Sequence, residues 1–315
     1  MDLKELEIFL IVAEQQSFTK ASIELDVAQS LVSRTIRTLE RELNQPLFYR
    51  DGHGVRLMPS ALVLVDHTKA LFRQLALTQS AMCKDSTVVG GRVRIGIPPT
   101  LGRLVGRPVL SALLQAHPNI KISLHEALTV SLIQQLERGA IDLVIGYNAK
   151  WKPGLLLTTV FEEPVVLIGL KKMMDKFPDC SLHIEALKDL PQVAATRPNN
   201  IRMLMETQMA THQLAPNVVA EADSMPLTLE LVADNIGFAV LPLHTLTQAV
   251  DASVYGYRRF EPCVNARVVV ATCDEKPLTQ AGKVVKEALV DALKSLNTTS
   301  SAISTSAITK VAQLA

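Results

Sequence analysis

Hydrophobic and polar positions follow three different rhythms along the chain. Leu6, Phe9, Leu10 and Ala13 recur at i, i+3, i+4 and i+7, one stripe of an amphipathic helix ending near Gln15 and Gln16. Phe18, Ala21 and Leu25 share a side of a short second helix, with Thr19 its expected N-cap, before Asp26 and Val27 break the pattern. A third helix opens near Ser30 and carries two series at helical spacing. Val32, Ile36, Leu39 and Leu43 are apolar, whereas Ser30, Ser33, Arg34, Arg37 and Arg41 are polar and cationic. Pro46-Leu47-Phe48 then leads into residues 49–57, where Gly52 and Gly54 flank His53. That spacing predicts a tight hairpin tip with Arg50 and Arg56 on its arms.

From Pro59 no Gly or Pro interrupts the chain until Gly90, so one long helix is expected. Ala61, Leu64, Thr68, Leu71, Leu75, Thr78 and Met82 form a heptad seam on it, which fits either a helix pair between two chains or a helix lying on its own domain. Beyond Gly90 strands alternate with helices. Val93, Ile95 and Ile97 open a strand, Ile120, Ile122 and Leu124 a second, and Ile141 to Ile145 a third, with helical segments between them; Thr129 is the expected cap of the second and Gly139 its end. This order predicts a parallel sheet with right-handed crossovers. A second α/β unit follows. It comprises a strand over 164–170, a helix over 201–211, a strand over 218–222, a helix over 226–233 and a strand over 237–241; a strand over 266–272 and a closing helix over 283–296 then follow.

Composition narrows the classes. The 315 residues are 48% hydrophobic and 20% charged, which supplies cores for more than one domain and excludes global disorder. No apolar run approaches the roughly 18 residues that span a bilayer, and acidic residues stand in the first positions where a secretory signal would be basic, so a cytoplasmic protein without membrane contact is expected. The four cysteines form no CxxC pair, and the histidines at 117, 125, 183, 212 and 244 show no metal-ligand spacing; no metal and no cofactor are expected, and each histidine reads as a satisfied polar residue. Net charge is only +1, so any nucleic-acid signal must be local. It is: residues 1–85 carry a net of −1, but residues 29–56 carry a net of +2. Residues 297–315 hold eight Ser or Thr and no aromatic, and are expected to be a mobile tail.

Two helices joined by a short turn, the second presenting small polar and Arg side chains, suit a helix-turn-helix entering the major groove. The competing reading of the cationic stripe is a solvated helix face. The ordered run QSFTKASIELDVAQSLVSRTIRTLERELNQPLFYRDGHGVRLMPS decides for DNA, because it resembles the N-terminal domain of LysR-type transcriptional regulators. The segments GRVRIGIPPTLGRLVG, HEALTVSLIQQLERGAIDLVIG and EADSMPLTLELVADNIGFAVLP resemble the effector domain of the same family, and together the resemblance covers about residues 1–296. Gln16 stands where the family has Gly, Asn44 replaces a helix-ending Gly, Met58 replaces the Thr before Pro59, and Asn235 replaces a Gly before Ile-Gly. Asn tolerates the left-handed conformation, whereas Met58 has no hydroxyl to offer a phosphate.

The resemblance implies an α/β architecture in three parts: a winged helix-turn-helix over 1–58, a linker and dimerisation helix over 59–89, and a periplasmic-binding-protein-like effector domain over 90–296. Its subdomain I would hold residues 90–162 and 268–296, and subdomain II residues 163–267. It implies a homodimer through the linker helix that assembles into a tetramer, with double-stranded DNA, a small-molecule effector and RNA polymerase as partners. Gln29, Ser30, Ser33, Arg34 and Arg37 are the expected contacts to base edges and phosphates, with Arg50, His53 and Arg56 placing the wing.

Ligands of open α/β sheets bind beyond the carboxyl ends of strands, which selects the loops at Thr100 and Leu101, Thr129, and Tyr147 with Asn148. Thr196, Arg197, Asn199 and Met225 would face them from subdomain II. Thr129 reads equally well as a plain helix cap, and Arg197 as a surface guanidinium. Helix N-termini with an Arg would suit an anionic effector. No GxSxG, HExxH or GxxxxGK[ST] segment supports catalysis, and the SxxK at Ser17 lacks its partner motifs, so no enzyme is expected. The alternative from another class is a cytoplasmic small-molecule binding protein or enzyme whose helical N-terminus only dimerises.

Overall fold

The computed structural model describes residues 1–51, 54–82, 89–105, 109–177, 181–249 and 253–311, with side chains excepted at 50, 51, 54, 80, 81, 103, 247–249 and 296–311. It divides into two compact units, Met1–Lys84 and Asp85–Ala315.

The first unit contains α1 (Leu3–Gln15), α2 (Phe18–Glu24), α3 (Gln29–Leu43), β1 (Phe48–Asp51), β2 (Gly54–Leu57) and α4 (Pro59–Met82). Asp2 and Glu5 close a reciprocal capping box on α1. Ser17, not Thr19, caps α2: Ser17 has extended backbone and its side chain accepts from the Lys20 amide, while Thr19 already lies inside the helix. Gln16 and Asn44 end α1 and α3 in the left-handed region at φ 51° and 50°, the conformation a glycine there would adopt at less steric cost. One core joins the elements, with Phe48 of the hairpin packed on Phe9 at 5.6 Å and Phe18 at 6.0 Å between ring centroids. The first half of α4 joins that core through buried Ala61 and the packed Leu64, Val65 and Phe72. Farther along the heptad seam Leu71 and Met82 are 43% and 83% exposed. The helix thus lies on its own domain at one end and leaves seam positions uncovered at the other.

The second unit is built on β3 (Gly91–Ile97), α5 (Pro99–Val105), α6 (Ser111–Ala116), β4 (Ile120–Glu126), α7 (Thr129–Arg138), β5 (Leu143–Tyr147), β6 (Leu155–Leu170) and α8 (Lys171–Met174). It continues with β7 (Leu182–His183), β8 (Gln192–Ala194), α9 (Asn200–Thr211), β9 (Val218–Glu221), α10 (Met225–Ala233), β10 (Ala239–Pro242), α11 (His244–Ala249), β11 (Tyr255–Glu261), β12 (Asn265–Cys273) and α12 (Gln280–Val311). β3 pairs in parallel with β4 and β5, as the strand–helix alternation predicts. β12 lies antiparallel between β5 and β6, and the far half of β6 pairs antiparallel with β10 and β11. β6 therefore runs through both halves of this unit, with β12 beside its first part.

Several expectations need correcting. β6 begins at Leu155 rather than Pro164, because Glu162-Glu163-Pro164 reads as a break yet stays in register with Asn265, Ala266 and Arg267. β11 was not anticipated, since Gly256 and the adjacent Arg258 and Arg259 spoil its alternation. The closing helix does not stop near Leu296 but continues in backbone to Val311.

Candidate functional site

In the first unit the turn between α2 and α3 presents one face of α3. Val32, Ile36 and Leu39 are fully buried beneath it, while Gln29, Ser30, Arg34, Arg37 and Arg41 are exposed and Ser33 is half-buried. The sorting is what the two series in the sequence require. Ala28 caps α3 without a side-chain hydrogen bond. Two hydrogen bonds tie the hairpin region to the helices: the Leu47 amide, just before β1, donates to Glu40 Oε1 on α3 at 2.9 Å, and the Val55 amide of β2 donates to the carbonyl of Gln16 at the end of α1 at 3.2 Å. Its register pairs Arg56 with Tyr49 and Arg50 with Val55, so the two arginines are not cross-strand partners. Arg56 and Tyr49 are exposed, His53 lies outside the described residues, and Arg50 is described in backbone alone.

In the second unit a cavity of about 240 Å³ opens where four helices begin. Thr100 of α5 and Thr129 of α7 line it from one half, Asn199 before α9 and Met225 of α10 from the other, and Tyr147 closes it at the end of β5. Leu101 is fully buried and does not line it. Asn148, Thr196 and Arg197 do not line it either. Asn148, at φ 44°, instead ties β5 to β12, its amide donating to the Arg267 carbonyl at 2.8 Å and its Oδ1 accepting from the Arg267 amide at 3.0 Å. Thr196 donates its hydroxyl to Asp223 Oδ1 at 2.7 Å, and Arg197 turns to Glu206, leaving its side chain 65% exposed. The anionic-effector expectation leaned on that guanidinium, and it sits on the surface.

Thr129 is not the cap of α7; Leu128 holds that place without a side-chain hydrogen bond. The Thr129 hydroxyl oxygen accepts instead from the Tyr147 amide at 3.2 Å. Gly146 makes this approach possible, because a Cβ there would stand 2.6 Å from Thr129 Cγ2. The Tyr147 hydroxyl donates to Glu163 Oε1 at 3.1 Å. Burial, reinforced by the Glu163 charge, pushes Tyr147 well above its ordinary value and keeps the phenol neutral.

The site also holds polar residues beyond those expected, among them Arg202, Asn200, Glu163 and His244. Arg202 lines the cavity and is held by Glu206 Oε1 at 2.7 Å, the Ala195 carbonyl at 2.6 Å and Glu221 Oε1 at 2.5 Å. Burial acts to lower the Arg202 value, but these carboxylates outweigh it and leave the guanidinium firmly charged. Asn200 donates to the Tyr147 carbonyl at 2.6 Å and so joins α9 to β5. Glu163 and His244 stand behind Tyr147 and Thr100, with His244 Nδ1 2.7 Å from Glu163 Oε2. The one available signal was that Asn199 and Asn200 precede a helical stripe; nothing in the spacing marks the others.

Residues 86–294 match the model of the LysR substrate binding domain, and residues 3–61 that of the bacterial regulatory helix-turn-helix protein, lysR family. The chain is 26% identical over 298 residues to the nitrogen assimilation regulatory protein nac of Escherichia coli (strain K12), covering 94% of this chain and 96% of that protein. It is 29% identical over 249 residues to the HTH-type transcriptional regulator BenM of Acinetobacter baylyi, covering 78% and 81%. In structure it is similar to a point variant of full-length OxyR from Pseudomonas aeruginosa, with a TM-score of 0.73, 21% identity and coverage of 93% and 95%. It is also similar to full-length CbnR complexed with the target DNA, with a TM-score of 0.66, 15% identity and coverage of 93% and 100%. Those two likenesses concern the fold. The relatives are transcriptional regulators rather than enzymes, which sets aside the reading of a catalyst with a helical dimerisation module. With both family models matched in order along one chain, and the helix-turn-helix and cleft they describe both present, the protein belongs to the LysR family of bacterial transcriptional regulators.

Proposed function

We propose that this protein binds a dyad-symmetric operator as a homo-oligomer and changes its grip on that operator when a small molecule occupies the cleft cavity. The observation that carries the reading is the sorting of α3, where one face is fully buried and the opposite face offers Gln29, Ser30, Arg34 and Arg37 to solvent. Arg34 would bridge guanine acceptors or adjacent phosphates, Gln29, Ser30 and Ser33 would lie against base edges, and Arg37 would reach the backbone. Arg50, His53 and Arg56 would set the wing on a flanking phosphate or minor groove. A single short helix supplies few base contacts, so two linked copies multiply affinity. The uncovered end of the α4 seam supports that pairing. Tetramers, and contact with RNA polymerase, extend the same reading. The comparison with CbnR supports DNA as partner, since that relative was solved on its target DNA.

For the cavity, Thr100, Thr129, Tyr147, Asn199 and Met225 would touch the effector, on the strength of their place in its lining. A molecule entering there would bear on both halves of the second unit at once, which is what a shift between two conformations requires. Selection of bound duplexes from a random DNA pool by the full chain, at two salt concentrations, tests the operator reading. Paired inverted half-sites are expected from the wild type, and Arg34→Ala should abolish the enrichment while leaving the oligomer intact. Enrichment unchanged in Arg34→Ala, or none in the wild type, would overturn it.

A further inference from the structure

His244 opens α11 in one subdomain, and Thr100 lies in the first turn of α5 in the other. Between them stands Glu163, on the stretch of β6 that crosses from one subdomain to the other. His244 Nε2 lies 2.9 Å from the Thr100 carbonyl, His244 Nδ1 lies 2.7 Å from Glu163 Oε2, and Glu163 Oε1 accepts from the Tyr147 hydroxyl at 3.1 Å. The backbone amide of His244 also points at Glu163 Oε2, 3.4 Å away. The ring and the carboxylate are both withdrawn from solvent, with side-chain exposures of 11% and 8%.

Hydrogen-bond accounting constrains the proton. A carbonyl oxygen only accepts, so Nε2 must carry a hydrogen toward Thr100. One further proton must then lie between Nδ1 and Oε2, whether the pair is imidazolium with carboxylate or imidazole with carboxylic acid. Without it, two lone pairs would face each other at the 2.7 Å separation in a site largely withdrawn from solvent. Among the described residues, the groups facing the ring include Glu163 from β6, the Thr100 carbonyl from α5 and, through Glu163, Tyr147 from β5. Glu162 and Arg267, cross-strand partners on β6 and β12, fall on the alternate face of the sheet from Glu163 and Ala266.

We propose that Thr100, His244, Glu163 and Tyr147 form a one-proton clasp across the cleft, which fastens α11 to α5, fixes the cavity wall, and opens when the shared proton leaves. Glu163 and His244 are positioning residues, acting on the cavity only through Tyr147 and Thr100, both of which line it. The clasp holds whatever the ligand or operator, so its failure would leave the proposed function standing.

Burial acts to lower the His244 value, but the hydrogen bond and charge of Glu163, with the Thr100 carbonyl, outweigh it and hold it above the ordinary 6.5. A raised folded value means the clasp is fully made below the unfolded value and is lost as pH rises through the folded one. Opening should therefore come on the alkaline side.

Hydrogen–deuterium exchange of the full chain from about pH 6 to about pH 9, corrected for the chemical exchange step, reads it on peptides covering residues 99–105 and 242–246. In the wild type both peptides should lose protection together, roughly tenfold, as one charge-assisted hydrogen bond is given up. Glu163→Gln should abolish the step and stay protected at high pH, because an amide donates to a neutral Nδ1 without a shared proton. His244→Phe should exchange fast at every pH. A wild type without the step, a Glu163→Gln profile that keeps it, or protection unchanged in His244→Phe would each overturn the clasp. The wild-type profile tests the proposal even where a variant does not fold.

Discussion

Gly146→Ala is the perturbation whose cost follows most directly from the cavity wall. The added Cβ would sit 2.6 Å from Thr129 Cγ2 and 3.1 Å from Thr129 Oγ1. Ordinary carbon contacts lie at about 3.5–4.0 Å, so the methyl is roughly 1 Å too close. Thr129 has nowhere to retreat, being 4% exposed at the start of α7, and any movement lengthens its 3.2 Å bond from the Tyr147 amide. Overpacking of this kind costs about 1–3 kcal/mol, and an unsatisfied buried amide adds about 1–3 kcal/mol, so a loss of about 2–6 kcal/mol is expected. Thr129→Ser removes the offending methyl while keeping the hydroxyl, at an expected cost of about 1 kcal/mol by itself. In the double variant the clash eases, and its loss should fall short of the sum of the single losses by about 1–2 kcal/mol. The assay is urea unfolding followed by fluorescence anisotropy of Trp151, the single tryptophan of the chain and thus a reporter of the second unit alone. Losses that add to within about 0.5 kcal/mol would refute the argument, since independent sites behave that way.

Other outcomes follow from the first unit. Gln16→Gly should raise its stability by about 0.5–1 kcal/mol, because the left-handed backbone at φ 51° penalises a side chain by more than glycine loses in unfolded-chain entropy; an unchanged midpoint in thermal unfolding would contradict that balance. Asn44→Gly should do the same more weakly, since Asn tolerates φ 50°. Met58 immediately precedes Pro59, the first residue of α4, so Met58→Thr places a capping hydroxyl at the helix start. A gain of about 1 kcal/mol is expected there, with tighter operator binding at low salt if that hydroxyl also meets a phosphate. Stability and affinity measured on the same variant separate the two effects.

Periodicity made much of the molecule legible because helices and strands are local. The stripe of Val32, Ile36 and Leu39 could face only a core, which left Arg34 and Arg37 outside, and the strand–helix alternation after Gly90 implied the parallel β4–β3–β5 arrangement. Capping was less legible: Ser17 and Thr19 are equally suited chemically, and backbone conformation alone chose between them. Thr129 shows the same limit, since a threonine at a helix start reads as a cap until Gly146 brings the Tyr147 amide within reach of its hydroxyl.

Local periodicity thus accounts for most of the elements, for the third helix with its cationic face, and for the loops that border a cleft. Tertiary structure alone decided which side chains those loops deliver: Arg202 in the cavity wall and Arg197 off it, Asn148 tied to β12, and His244 joined to Thr100 across 144 residues of chain. The physical reason is range. Propensity and amphipathic period act over a few residues, whereas a buried hydrogen bond depends on the convergence of segments whose separation along the chain carries no periodic signature.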